Sequence, residues 1–426
     1  PLILAGSAGL LLRGHQLTSN VIFLAGVTIC IYGLAVVPRR PVNGGIAIGS
    51  GLIISTYATS LVEPFMILSV IPLMMIISPL YRTKRTCVWL GTSISVSLLF
   101  IIIWPLLLFH TDPNLFLEWF YTHNLEKLKN IFIFRQDENL SYYINILPWY
   151  AWPSWPLALW TLWIARGHGF EKREIQLPVV AFATYLIFIS LLGEGREVYA
   201  LPLLIPLSLL ASQSLESTPR GANHAFYWFS IMIASVFIIL CWLAFFVVGY
   251  EYPLFIAKNI EHYVTSKWPE PQIIQLITGA LASIIWILFL FNLKKSNERS
   301  ILAWTSGVTI SWSLTVFLLF PWIDNIKTYR FMVEDLVGKF PKTYNCIIRK
   351  NIGEPQRAML DYFGSLVTTN PNNIDQSKCE LLLKQTHDTK NHEFNTKKWK
   401  LIWQGSRNGD KNERFYLFHK EPLTEK

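Results

Sequence analysis

The chain has 426 residues, of which 52% are hydrophobic and only 15% charged, with a mean hydropathy of +0.35, whereas a soluble globular chain carries roughly 25% charged residues. That balance excludes an ordinary cytosolic enzyme. The net charge of +9 does not form a patch suited to nucleic acid: five of those charges fall in the tail and the other four are scattered over short loops between apolar runs.

The charge density divides the chain in two. Residues 324–426 carry 18 Lys/Arg and 13 Asp/Glu, against 34 charged residues in the first 323. This predicts a membrane region over 1–323 and a water-soluble domain over 324–426. Taking about 20 apolar residues per crossing, helices are expected near 18–37, 44–60, 63–81, 87–109, 143–165, 177–192, 198–213, 225–249, 272–293 and 301–322. A partial eleventh opens the chain at 1–12, and its start within an apolar run, with no Met or polar lead, reads as a fragment missing its N-terminus. Pro38-Arg39-Arg40-Pro41, Arg82–Arg85, Arg166–Arg173, Arg220 and Lys294–Arg299 then all fall on one side, the cytoplasmic one by the positive-inside rule. The opposite, periplasmic side receives the loop 110–142, Gly193–Glu197, the loop 250–271 and the tail.

Two of the outward loops are aromatic: Phe116–Tyr121 and Tyr252–Trp268 mix rings with single charges at helical spacing. They read either as an aromatic belt anchoring adjacent crossings or as interfacial helices over a lipid-binding cavity. The tail alternates helix (Phe331–Phe340), strand (Asn345–Ile348), helix (Glu354–Phe363), strand (Cys379–Leu383) and a final pair (Lys400–Trp403, Arg414–Phe418) around Asn408-Gly409-Asp410. This is a small α/β domain. Cys346 and Cys379, each at a strand start, suit either a disulfide in an oxidising compartment or two buried thiols.

No glycine-rich phosphate loop, HExxH, GxSxG or paired-cysteine motif is present, so chemistry is expected among polar groups at the outer membrane boundary. The sharpest candidate is Arg196, which opens Arg-Glu-Val-Tyr-Ala-Leu-Pro-Leu-Leu-Ile-Pro-Leu at 196–207. An arginine there can grip a lipid phosphate through both prongs of its guanidinium. It can equally pair with Glu194 or Glu197 and snorkel to the interface.

The stretch 196–207 resembles the Arg-Tyr-x-Leu-Pro-x-x-Pro signature of membrane glycosyltransferases related to the aminoarabinose transferase of lipid A and to protein O-mannosyltransferases. His15–Asn20, Leu147–Leu157, Gly353–Arg357 and Trp403–Asp410 resemble one bacterial branch of that family, so the likeness runs over most of the chain. It implies an integral membrane all-α, GT-C-type multispanning bundle of about 11 crossings with a small C-terminal periplasmic α/β domain, in the bacterial inner membrane. It further implies an inverting transfer of sugar from a polyprenyl-phosphate donor to an envelope glycolipid or polysaccharide, with membrane and no nucleic acid as partners. The resemblance places the principal catalytic carboxylate upstream of residue 1, with Glu63 as the weak candidate retained.

Arg196, Tyr199, Asn20, His15 and Lys127 are the expected substrate-binding residues. His123 and Asn124 occupy the stretch where the aminoarabinose transferase holds a metal, so no cofactor is fixed and a divalent metal is compatible. His110 is a further weak candidate. The chain departs from the family at Ser19-Asn20, where Thr-Asp is usual, and at Thr59-Ser60, where Lys-Gly is usual. Two other classes compete with the transferase. A flippase would show repeated halves and ionisable groups in interrupted mid-membrane helices, and a non-catalytic relative would bind carrier lipid alone.

Overall fold

The computed structural model describes residues 1–126, 128–129, 139–191, 195–261, 269–341, 344–369, 379–386, 399–408 and 413–420. The chain forms two compact units, residues 1–235 with 286–312, and residues 236–285 with 313–426. The helices are α1 Leu2–Ala5, α2 Ala8–Arg13, α3 Ser19–Val36, α4 Pro41–Ala58, α5 Pro64–Ile77, α6 Thr86–Thr111, α7 Pro113–Phe120, α8 Asn139–Tyr150 and α9 Ser154–Ala165. They continue as α10 Arg173–Leu191, α11 Leu204–Gln213, α12 Arg220–Tyr250, α13 Leu254–Glu261, α14 Ile273–Asn292, α15 Arg299–Leu314, α16 Phe320–Lys327, α17 Arg330–Gly338 and α18 Glu354–Gly364.

Among the described residues six helical runs are long and apolar enough to cross a bilayer: α3, α6, α10, α12, α14 and Arg299–Gly338. Pro64–Ile77 and Glu197–Gln213 are shorter apolar helices. Leu99, Ile102 and Leu107 on α6, and Met232, Val236 and Ile239 on α12, lie exposed. Apolar surface on that scale needs lipid to cover it, and the chain is a membrane protein.

The first unit is built on glycine contacts. In a bilayer, helices associate where small residues let backbones approach, and α3 and α4 do so antiparallel. A Cβ on Gly33 would stand 2.8 Å from the Gly44 carbonyl oxygen, and one on Gly51 2.6 Å from that of Gly26. On another face of α4, a Cβ on Gly45 would stand 2.6 Å from the Trp89 carbonyl oxygen and one on Gly49 2.9 Å from that of Ser93, so α4 and α6 run side by side in the same direction. The Cys30 thiol, buried at this seam, donates to the Ile48 carbonyl at 3.4 Å.

Three expected crossings are interrupted. The helix expected over 143–165 is two: α8 runs on through Pro148 to Tyr150, and α9 starts after Pro153, which cannot donate a main-chain hydrogen bond. The freed Pro148 carbonyl is satisfied by the Trp155 indole N–H at 2.8 Å, and the Trp152 carbonyl accepts from the Ala8 N–H at 3.2 Å. Ala8 begins α2 just after a break at Gly6–Ser7, and Ser7 Oγ lies 3.0 Å from Ser154 Oγ. Two broken segments thus meet at their breaks, which is how exposed backbone is tolerated at membrane depth. The stretch expected as one helix over 198–213 starts as a 3₁₀ turn, Glu197–Leu203, before α11; Pro202 and Pro206 deny it regular pairing.

The second unit ends in a five-stranded sheet of order β2-β1-β3-β5-β4, with β1 Ile347–Lys350, β2 Thr368–Thr369, β3 Leu381–Thr386, β4 Trp399–Gly405 and β5 Arg414–Lys420. β1 is parallel to β2 and β3, while β5 is antiparallel to β3 and β4. Met332, Val333 and Leu336 of α17 and Leu360 of α18 share one core with Ile347, Leu381, Leu383, Phe415 and Leu417. Cys346 and Cys379 form a disulfide across the parallel pair β1–β3, which decides between the two readings of those cysteines. The two-residue strand β2 is polar and too short to carry an alternating pattern, and it was not expected.

Because the glycine seam admits no side chain, Gly51→Ala should destabilise the purified protein by about 1–3 kcal/mol through overpacking. Gly91→Ala, with nothing within 4 Å of the added carbon, should hold or raise the thermal midpoint, and equal effects at both sites would refute the close approach.

Candidate functional site at one end of the first unit

The directions of the helices gather the candidate residues. Asn20 stands in the first turn of α3, and the antiparallel α4 delivers Thr59–Glu63 to the same end. α6, parallel to α4, brings the chain back to that end and into α7. α7 starts crisply because the Asp112 carboxylate accepts from the Asn114 and Leu115 N–H groups at 3.0 and 3.1 Å, with Pro113 in the first helical position. Its rings fold back on α6, Phe116 against Phe109 at 5.4 Å and Trp119 against Trp104 at 4.8 Å between centroids. The aromatic stretch of the first outward loop is therefore a helix packed on its own crossing. In the second loop the helix is α13, and 262–268 lies outside the described residues.

After α7 the chain makes a π-helical turn, Tyr121–Leu125, which returns Asn124 to the α4–α5 turn. Asn124 is buried; its Oδ1 accepts from the Leu61 N–H at 2.9 Å and its Nδ2 donates to the Trp119 carbonyl at 3.4 Å. Both ends of this amide, one of the two weak metal candidates, serve the main chain. The His123 side chain and Lys127 lie outside the described residues. Among the described residues no three His, Cys, Asp or Glu side chains converge as a metal site.

Glu63 is buried, and its carboxylate accepts from the Ser60 hydroxyl, whose oxygen in turn accepts from the Val62 N–H at 3.1 Å. The carboxylate thus closes the turn between α4 and α5.

Across the same end lies a second polar cluster. Arg196 is exposed, in extended backbone at the head of the 3₁₀ turn, and Tyr199 is half-buried one turn on, its N–H donating to the Arg196 carbonyl at 3.1 Å. Beside them Arg13 at the end of α2 forms an ion pair with Glu197, its Nε donating to the carboxylate at 3.1 Å. Beneath this pair is the fully buried Tyr150, whose hydroxyl has no hydrogen-bond partner among the described residues. Gly9 leaves room for the Tyr150 ring, which a Cβ there would strike. His15 is exposed, its Nδ1 donating to the Leu11 carbonyl at 2.9 Å and its ring 4.2 Å from that of Trp312. The sequence singles out Arg196, Tyr199, His15 and Asn20 as site residues but not Arg13, nor Tyr150 within the stretch 147–157, because these lie 183 and 46 residues from Arg196 and share no local pattern with it.

The two tail motifs meet in the second unit, around Glu413. This buried carboxylate accepts from the Tyr329 hydroxyl at 2.8 and 2.9 Å, from Gln356 at 3.1 Å and from Gln385 at 2.8 Å, with Arg407 Nε at 3.4 Å. Gln356 belongs to the stretch 353–357 and Arg407 to 403–410, so those motifs encode a polar node that ties α18 to the sheet.

No protein-family model and no curated protein matches the sequence. Two solved structures share its architecture. One is ArnT from Cupriavidus metallidurans bound to undecaprenyl phosphate, with a TM-score of 0.62 and 12% sequence identity over 98% of this chain and 77% of that one. The other is the same ArnT in the apo state, with a TM-score of 0.62 and 13% identity over the same shares. At such identities the likeness shows the fold alone: this chain shares the architecture of ArnT.

The Arg13–Glu197 pair is partly solvated, with side chains 33% and 26% exposed, so a double-mutant cycle with Arg13→Ala and Glu197→Ala should give a coupling of about 0.5–1 kcal/mol in thermal stability. Additive single effects would show that the pair is not formed in solution.

Proposed function

We propose that this protein transfers a glycosyl group from a polyprenyl-phosphate-linked sugar to a cell-envelope glycolipid or polysaccharide. One observation carries the reading. An ArnT fold, known in complex with undecaprenyl phosphate, here gathers the motif residues Arg196, Tyr199, His15 and Asn20 at one end of its helices. In this reading the chain makes about 11 crossings of the bacterial inner membrane, counting the paired segments α1–α2, α8–α9 and Glu197–Gln213 as one each, and the mouth and the tail face the periplasm.

The acceptor hydroxyl oxygen attacks the anomeric carbon from the face opposite the phosphate. The bond from that carbon to the phosphate oxygen breaks with its electron pair, the configuration inverts, and the hydroxyl proton passes to a carboxylate base. Arg196, with Tyr199 beside it, receives the leaving phosphate, where a planar cation stabilises developing negative charge. His15 and Asn20 line the sugar or phosphate path, and Lys127, outside the described residues, is carried only as a residue of the motif. Glu63 is the retained candidate base, and Glu197, half-exposed beside Arg196 and paired with Arg13, is a second candidate carboxylate at that end. The flippase reading is less favoured: interrupted helices are present, but serines stand at the Ser7–Ser154 meeting point where a lipid-linked-sugar transporter would use ionisable groups.

Carrier binding and transfer with labelled polyprenyl-phosphate sugars and envelope acceptors test this directly. Arg196→Lys, which keeps the charge but loses the planar fork, should weaken carrier binding about tenfold, and Arg196→Ala further. Binding unchanged in both variants would reduce Arg196 to an interface anchor. Loss of transfer in Glu63→Gln or Glu197→Gln, with carrier binding intact, would identify the base.

A further inference from the structure

The end of the first unit remote from the mouth carries a groove that the transfer reading does not use. It runs between α3, α10 and α11, with a volume of about 350 Å³. Its floor is apolar, with Ile31, Leu177 and Ile205 buried, and Tyr32 and Leu209 form an exposed rim. Two of its three walls, α3 and α10, are long enough to span a bilayer, so its open side faces acyl chains. One end of the groove is polar and holds Arg173, Glu174 and Gln213.

Arg173 and Glu174 are adjacent residues at the start of α10. Neighbours one apart on a helix do not face each other, and the guanidinium Nη2 and carboxylate Oε1 are 3.8 Å apart, near the limit of an ion pair. The groove end therefore offers a cation and an anion side by side without a close internal bond. It lies near the cationic loops Arg39–Arg40 and Arg82–Arg85, since the Tyr81 hydroxyl donates to the Leu34 carbonyl at 2.9 Å and ties the α5–α6 connection to the end of α3.

We infer that this groove is a binding site for a glycerophospholipid with a phosphoethanolamine headgroup, one acyl chain lying against Ile31 and Leu177 and the headgroup bridging Arg173 and Glu174. The guanidinium takes the phosphate through two parallel N–H bonds. A primary ammonium two carbons away has three donors, which the Glu174 carboxylate and the Gln213 side-chain oxygen accept. Phosphocholine has no N–H donor for Glu174, and phosphoglycerol places no cation there. The site thus selects by headgroup, and its occupancy is independent of sugar transfer at the opposite end.

Native mass spectrometry of the full chain tests the assignment, with matched-chain phosphatidylethanolamine, phosphatidylglycerol and phosphatidylcholine supplied in turn. Phosphatidylethanolamine should be retained about tenfold more tightly than either competitor, the difference made by one charge-assisted contact. Glu174→Gln should abolish that preference, Arg173→Gln should weaken retention of all three lipids, and Leu209→Trp should fill the groove and do the same with both charges intact. Equal retention of the three lipids by the native chain, or an unchanged preference in Glu174→Gln, would overturn the proposal. Thermal unfolding of each variant identifies any that fails to fold. If Arg173→Gln does, the other two substitutions decide.

Discussion

Much of the first unit depends on the close approach of α3, α4 and α6. A lipid bilayer offers helices no hydrophobic gain on association, since the tails are as apolar as the side chains, so contact must come from packing. Gly26, Gly33, Gly44 and Gly51 bring α3 and α4 to backbone contact, and Gly45 and Gly49 bring α4 to α6. With those directions set, the start of α3, the α4–α5 turn and the end of α6 share one end of the unit. Asn20, Glu63 and Asn124 lie at that end because the glycine contacts hold α3, α4 and α6 in these directions.

A second constraint is the cost of unpaired backbone at membrane depth. The chain breaks helices at Gly6–Ser7 and at Ala151–Pro153, and places the breaks against each other. Ala8 donates to the carbonyl of Trp152, Trp155 donates to Pro148, and Ser7 meets Ser154. This arrangement also brings α2 alongside α8, so Arg13 reaches Glu197 over Tyr150. The polar mouth is a consequence of how the broken segments satisfy their own hydrogen bonds.

The mouth and the tail use buried polarity differently. Around Glu413, two amides and a phenol satisfy the carboxylate and Arg407 balances its charge; such a saturated network rigidifies and leaves little for a ligand. At the mouth, Arg196 is exposed and the Tyr150 hydroxyl has no hydrogen-bond partner among the described residues. The contrast is between a carboxylate whose partners are all side chains of its own unit and an end whose buried phenol meets no hydrogen-bonding group among the described residues.

The membrane character, the position of most helices and the α/β nature of the tail were legible in the sequence, because hydropathy runs and charge density act over consecutive residues. The likeness of 196–207 to a glycosyltransferase signature was legible for the same reason, as a local string. What sequence could not show was anything made by proximity. Pro153 marks the split of an expected crossing because a ring nitrogen cannot donate, yet only the packed structure supplies the Trp155 and Ala8 partners that make the split tolerable. Asn124 was a weak metal candidate by its place in a motif, and only the structure shows its amide bonded to the main chain of Leu61 and Trp119. Arg13 joins the site with no motif to mark it, and Tyr150, though inside the stretch 147–157, does so with nothing in that stretch to mark it as part of the site. Cys346 and Cys379 suited two states by their spacing, and the parallel pairing of β1 with β3 decided for the disulfide, because bond formation depends on the distance between strands and not on the number of residues between cysteines.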